Sequence, residues 1–243
     1  MRSRILYTAN EKVLILSNML YIVATPIGNL KDVTLRAIEV LNQVDEIICE
    51  DSRRTQILLN HYQIKKPLLT LNDFNEFKQV DFLANKLLAG AKLSLVSDAG
   101  TPLISDPGFK LVRKCIELGI KVEAIPGPSA VITALTLSAL PPDKFLFLGF
   151  LPEKTQARIK LLSNLKEIYN LVEVTFISFV SPYKLVTTLA DMLNVFGDIE
   201  VVLAKELTKI YESVNKSSIS IMLKKFEKQK PKGEFVLLFR LRN

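Results

Sequence analysis

The run Val96-Ser-Asp-Ala-Gly-Thr-Pro-Leu-Ile-Ser-Asp-Pro-Gly108 holds two carboxylates, two glycines and two prolines, directly after the apolar alternation Lys92–Val96. Asp98 and Asp106 could chelate a hard cation, but the run lacks the dense oxygen ligands of a calcium loop. Pro102 and Pro107 instead stiffen the backbone and present its amides and carbonyls, which suits a flat heterocycle with a polar tail. Three further runs are similarly loaded: Thr25-Pro-Ile-Gly-Asn29, Glu50-Asp-Ser-Arg-Arg54 and Pro126-Gly-Pro-Ser-Ala130. The last delivers a helix N-terminus, whose unpaired N–H groups accept a carboxylate or a phosphate. Neither G-x-G-x-x-G nor G-x-x-x-x-G-K-[ST] occurs, which disfavours the common dinucleotide and P-loop chemistries. The single histidine, His61, lies in the helical pattern TQILLNHY and reads as a packed or solvated surface residue. With no cysteine pair beside it, no metal site is expected.

These loops need a scaffold that brings them to one edge. Strand patterns fall at 20–25, 46–49, 68–71, 93–97 and 122–125, with helical windows at 34–43, 55–62, 76–89, 108–118 and 128–139. In the window 76–89, Phe77, Val80, Leu83 or Ala84, and Leu87 recur at helical spacing, and Gly90 ends it. Pro107 and Gly119 bracket the next window. Such alternation implies right-handed crossovers and a mainly parallel sheet, with ligands at the carboxyl ends of its strands. Leu140-Pro-Pro-Asp143 punctuates the chain as a domain boundary. Beyond it, strands are expected at 145–150, 172–179, 200–204 and 234–240, and helices at 155–168, 182–195 and 217–228. The fold class is therefore α/β. A first domain (19–140) carries the mainly parallel sheet, a second (141–243) carries a mixed sheet, and a cleft lies between them. Residues 1–18 read as an N-terminal extension.

Of 243 residues, 49% are hydrophobic and 23% charged, a globular and not a disordered balance. Lys and Arg number 32 against 25 Asp and Glu, and the net charge of +7 favours an anionic partner such as nucleic acid. Cys49 and Cys115 sit in apolar segments and read as buried thiols of a reducing compartment. No stretch approaches the roughly 18 apolar residues of a membrane span, and Glu11, Ser17 and Asn18 interrupt any signal-like run near the start. A soluble, cytoplasmic protein is expected.

The runs VATPIGN, CEDSRRT, LVSDAGTPLISDPG, PGPSAVITAL, GFLP, LAKELTK and KGE, in this order, resemble the tetrapyrrole-methylase superfamily. Within it they resemble the ribosomal branch, since SDAGTP stands where the corrin-pathway enzymes carry a Gly-Gly-Asp-Pro type loop. The likeness runs from about Leu20 to Phe239. It implies S-adenosylmethionine held in the interdomain cleft, a homodimer, and 2′-O-ribose methylation of a cytidine in the decoding region of 16S rRNA in the small ribosomal subunit. Carried over to this chain, the cofactor would lie against Pro26, Asp98, Ala99, Gly100, Thr101, Pro102, Ser105, Pro128, Ser129, Ala130, Leu203, Ala204 and Gly233. A methylase of tetrapyrrole precursors and a non-catalytic RNA-binding assembly factor are the alternatives on the same fold.

Methyl transfer to a ribose hydroxyl needs alignment, and a base or a cation to manage the developing alkoxide. Two clusters could serve: Glu50 and Asp51 with Arg53, and Lys205 with Glu206. Ordinary ion pairing is the competing account of both. For RNA, Lys154 and Arg158 follow GFLP, while Lys230 and Lys232 stand beside KGE in a segment, 224–242, with seven Lys or Arg against two Glu. No single-strand stacking platform is evident. The chain departs from the family pattern in Phe179-Val-Ser-Pro-Tyr-Lys184: Val180 replaces a carboxylate, Tyr183 an imidazole and Lys184 a guanidinium. Ile159 likewise replaces the second arginine after GFLP.

Overall fold

The computed structural model describes residues 18–241; the extension expected at 1–18 lies, but for its last residue, outside them. Strands β1 (Met19–Val23), β2 (Glu46–Cys49), β3 (Leu68–Thr70), β4 (Lys92–Leu95) and β5 (Lys121–Ile125) form one sheet in the order β3-β2-β4-β1-β5. Every pairing in it is parallel. The connecting helices are α1 (Leu35–Gln43), α2 (Ser52–His61), α3 (Glu76–Leu88) and α4 (Phe109–Glu117). Thr34 and Asp51 cap α1 and α2 by accepting from Ala37 N and Arg53 N, so α2 opens three residues before the expected start.

Alternate residues of each strand face opposite layers. Leu20, Ile22, Ile48, Leu93 and Leu95 pack with α3 and α4, whereas Val23, Ile47, Cys49 and Ile125 pack with α1 and α2. Both cysteines are buried and free. Phe77, expected on the inner stripe of α3, is 84% exposed. Glu76 turns inward in its place, because its carboxylate accepts the N–H groups of Gly108 and Lys110.

The second sheet contains β6 (Phe145–Phe150), β7 (Thr175–Val180), β8 (Glu200–Lys205), β9 (Ser213–Ser218) and β10 (Phe235–Phe239), ordered β6-β7-β10-β8-β9. Only β6–β7 is parallel, so this sheet is mixed. Helices α6 (Thr155–Leu171), α7 (Pro182–Phe196) and α8 (Ile219–Lys228) cover one face. Strand β9 is absent from the sequence-based expectation: SVNKSS is an edge strand with almost no apolar content.

The other face of the second sheet receives α5 (Ala130–Leu137). Val131, Ala134 and Leu135 of that helix, together with Ile27, pack on Ile177, Val202, Ala204, Val236 and Leu238. A helix that follows the last strand of the first sheet thus belongs to the core of the second. Its N-terminus lies in the seam, and that placement builds the site.

Candidate active site between the two sheets

The loop after β4 is tied down at several points. Thr25 and Gly100 exchange both backbone hydrogen bonds, at 2.8 and 3.0 Å. The Thr25 hydroxyl donates to Ser97 O and the Thr101 hydroxyl to Pro128 O, each at 3.2 Å. Gly100, Leu103 and Ser105 all have positive φ. For Leu103 and Ser105 such a backbone is costly and persists only where surrounding contacts enforce it, as at functional sites.

A cavity of about 450 Å³ opens between this loop and the second sheet. The first-sheet side presents Glu50, Arg54, Asp98–Thr101, Ser105, Asp106 and the α5 N-terminus at Ser129–Val131. The second-sheet side presents Phe150, Phe179–Pro182, Ala204, Glu206 and Gly233–Val236. Phe179 is fixed edge-on between Phe147 and Phe150, at 4.9 and 5.5 Å between ring centroids. Ser129 gives α5 no side-chain cap, so the first amides of that helix remain to be satisfied at the cavity. A smaller cavity of about 210 Å³ adjoins it, with Ile27, Arg54, Asp98, Ala99 and Glu234 common to both.

Among the expected site residues, Asp98, Ala99, Gly100, Thr101, Ser105, Ser129, Ala130, Ala204 and Gly233 are brought together on the main cavity, as are Glu50 and Glu206. Pro26 lines the smaller one. Three others lie apart from both walls. Pro102 is buried within its loop, and Pro128 contributes its carbonyl to Thr101. Leu203 points into the opposite core, because successive residues of β8 alternate faces.

The first candidate catalytic cluster is divided by the fold. Asp51 serves as the α2 cap and pairs with Arg53 at 2.6 Å. The hydrogen bonds from Arg53 hold its carboxyl down at about 2. The Arg53 side chain is 88% exposed and walls neither cavity. Arg54 faces both, with Nε 3.4 Å from Asp98 Oδ2. One residue of sequence decides this, since neighbours on a helix point about 100° apart. In the second cluster Lys205 stays off the cavity wall. Glu206 accepts from Glu234 N at 2.8 Å and Lys209 Nζ at 3.2 Å. Burial works to raise the Glu206 pKa, but those donors prevail and leave it lowered.

Two cavity carboxyls move the other way. Burial raises Glu50, with Asp98, Asp106 and Asp73 adding repulsion against Arg54. Burial also lifts Asp106, to about 6, against a hydrogen bond with Ser97. The sequence marks the loop that contains Asp106, but not the place of this residue in the cavity.

The basic candidates divide as well. Lys154, Lys230 and Lys232 are all exposed at the surface. Arg158 is 2% exposed and is no surface cation. Its guanidinium reaches Asp191 at 2.8 Å, the carbonyls of Pro152 and Glu153, and the Thr155 hydroxyl. Of the departures, Val180 is buried at the cavity wall, whereas Tyr183 is 91% exposed and Lys184 is exposed. Among the described residues no His, Cys, Asp and Glu group could hold a metal, and no helix is long and apolar enough to cross a membrane.

Residues 19–221 match the family described as Tetrapyrrole (Corrin/Porphyrin) Methylases. The chain belongs to this methylase family. It is 45% identical to the ribosomal RNA small subunit methyltransferase I of Thermotoga maritima, over 90% of this chain and 96% of that one. The enzyme of the same name from Haemophilus influenzae is 46% identical, over 92% and 78% of the two chains. Among solved structures, a cobalt precorrin-4 methyltransferase superposes with a TM-score of 0.67 over 91% of this chain and 95% of its own, at 17% identity. A diphthine synthase does so with 0.72 over 93% and 90%, at 14%. At those identities the two structures establish that this methylase shares their fold.

Proposed function

We propose that this chain uses S-adenosylmethionine to methylate the 2′-hydroxyl of a cytidine ribose in the decoding region of 16S rRNA, within the small ribosomal subunit. The carrying observation is a single cavity walled by the SDAGTP loop and a helix N-terminus from one sheet and by strand ends from the other. That it occurs in a chain whose relatives bear the small-subunit methyltransferase name supplies the substrate class.

The residues present fit the cofactor. The cavity volume falls within the roughly 300–1,000 Å³ usual for small-molecule sites. A Cβ on Gly100 would sit 3.3 Å from Ile27 Cγ2, so the loop approaches its neighbour as closely as only glycine comfortably allows. The uncapped amides of α5 suit a carboxylate tail, and Val131, Phe179 and Val236 offer apolar wall to a flat base. Asp98–Thr101, Ser105, Ser129, Ala130, Ala204 and Gly233 would hold it. Bound there, S-adenosylmethionine supplies a sulfonium-activated methyl group.

The remaining tasks fall to the protein. The tethered loop and the two sheets hold the reacting groups in line, a contribution worth up to roughly 7–11 kcal/mol in well-oriented reactions. Lys154, Lys230 and Lys232 at the surface offer positive charge to the RNA backbone without reading its sequence. Acting on the small subunit places the protein in the cytoplasm, and the family resemblance supports a homodimer, which sedimentation tests.

Incubation with S-adenosylmethionine and small subunits lacking the modification, followed by mass-spectrometric mapping, tests the reading. A new methyl on a cytidine ribose is the expected result. Transfer to a tetrapyrrole precursor and not to the subunit would replace it with the alternative substrate.

A further inference from the structure

Five carboxylates line the main cavity: Glu50, Asp98, Asp106, Glu206 and Glu234. Three are already engaged. Asp98 accepts from Asp51 N at 3.1 Å and faces Arg54. Glu206 accepts from Glu234 N and Lys209, and Glu234 accepts from the same Lys209 ammonium at 2.8 Å. Glu50 and Asp106 are in neither of these clamps: Asp106 keeps a hydrogen bond with Ser97, and burial disfavours the charged carboxylate of both.

Asp106 is the more firmly placed of the two. It follows Leu103 and Ser105, whose positive φ values mark an enforced backbone. Two residues on, Gly108 is pressed so closely on β4 that a Cβ would come 2.5 Å from Leu95 Cδ2. The Gly108 N–H is also held by Glu76 at 2.9 Å. A short side chain on a backbone pinned at both ends is a pre-organised acceptor. Glu50 has one more rotatable bond and stands at the free end of β2, immediately before the α2 cap.

We infer that Asp106 accepts the proton of the attacking ribose hydroxyl. This rests on the proposed ribose methylation. The 2′-oxygen forms the new bond to the methyl carbon, the methyl–sulfur bond breaks with its electron pair on sulfur, and the hydroxyl proton passes to an Asp106 carboxylate oxygen. The sulfonium charge and the carboxylate charge vanish together, so the step creates no net charge in the cavity. The titratable and charged groups around Asp106 are Asp98 on its own loop, Asp73 after β3, and Glu50 and Arg54 from the β2–α2 turn. Glu76 and Lys110 pair behind it, and Glu206 and Glu234 stand across the cavity. Burial does most to raise its basicity and Asp98 and Asp73 add repulsion, against the Ser97 hydrogen bond, which matches it to work near neutral pH.

The test compares single-turnover methylation by the full chain and its Asp106→Asn and Asp106→Glu variants, with cofactor and subunit affinities measured separately. The expected loss in Asp106→Asn is about 10²–10⁴-fold in rate, with both affinities retained. The wild-type rate should fall as pH drops through about 6, and Asp106→Glu should move that limb while keeping part of the rate. Carboxyl carbon-13 spectra of the free protein should contain a resonance titrating near 6 that Asp106→Asn lacks. Undiminished turnover in Asp106→Asn, a limb it leaves in place, or an Asp106 resonance titrating as an ordinary carboxyl would each overturn the inference. Absence of methyl transfer by the wild-type chain would instead remove the underlying reaction, and the inference with it.

Discussion

The Asn29 N–H donates to the Thr208 hydroxyl at 3.0 Å, joining the loop after β1 to the loop after β8. At Gly28, one residue earlier, a Cβ would meet Lys209 Cγ at 2.5 Å, Thr208 Oγ1 at 2.7 Å and Leu207 O at 2.8 Å. The seam between the sheets closes here on a backbone atom, which cannot swing aside. Gly28→Ala should therefore destabilise the protein by about 1–3 kcal/mol through overpacking. It should also weaken cofactor binding, since Ile27 and Leu207 on either side of the contact wall the main cavity. Calorimetric unfolding and a cofactor titration read the two effects; a variant unchanged in both would show that the seam is loose.

Gly233 poses a similar constraint on the opposite side. Its φ is +98°, and a Cβ there would lie 2.8 Å from Glu206 Cγ and Oε1. Gly233→Ala should strain the backbone and displace Glu206 from Glu234 N. Reduced cofactor affinity, with the secondary structure retained by circular dichroism, is the expected outcome.

Arg158 is expected to behave as a buried structural cation. Removing one partner of a buried pair strands the other charge, so Arg158→Ala should cost about 3–5 kcal/mol. The double variant with Asp191→Ala should recover part of that loss. Where Arg158→Ala still folds, the salt dependence of RNA binding should match the wild type. A shallower salt slope would make Arg158 a phosphate contact after all.

Lys230 and Lys232 should show the complementary behaviour. Alanine at either position should leave unfolding unchanged and lower the slope of log affinity against log salt by roughly 0.7–0.9 for each phosphate no longer neutralised. Filter binding across a salt series measures it, and an unaltered slope would assign these lysines to plain solvation.

Asp106 ties stability to pH in a definite direction. Its carboxyl pKa is raised in the fold to about 6 from 3.8, so the native state favours the protonated form. The stability it confers is complete below about 4 and is lost as pH rises through about 6. Asp106→Asn should then raise the melting temperature at neutral pH and bring no gain below pH 4. A variant no more stable at pH 7.5 would mean that the carboxylate sits there without strain.

The loops and the elements that carry them were legible because their signals are local. Strand–helix alternation marked the parallel sheet, and Gly, Pro and Asp at strand ends marked the binding edge. The edge strand Ser213–Ser218 escaped, as its identity depends on pairing with β8 and not on an apolar pattern. Phe77 and Glu76 exchanged roles on α3 because two amides of the α4 N-terminus, remote in sequence, needed an acceptor.

By itself the sequence determined the α/β class, the family, and eleven of the residues that wall the main cavity. Periodicity and turn chemistry are carried by neighbours along the chain, and motif order is independent of geometry. Only the tertiary structure decided which side chain of each motif reaches the cavity. Arg54 faces it in place of Arg53, Leu203 turns away, Arg158 is sequestered by Asp191, and Asp106 emerges with its proton affinity raised. Facing and burial arise when α5 docks on the second sheet and brings the two strand edges together, and that contact is long-range.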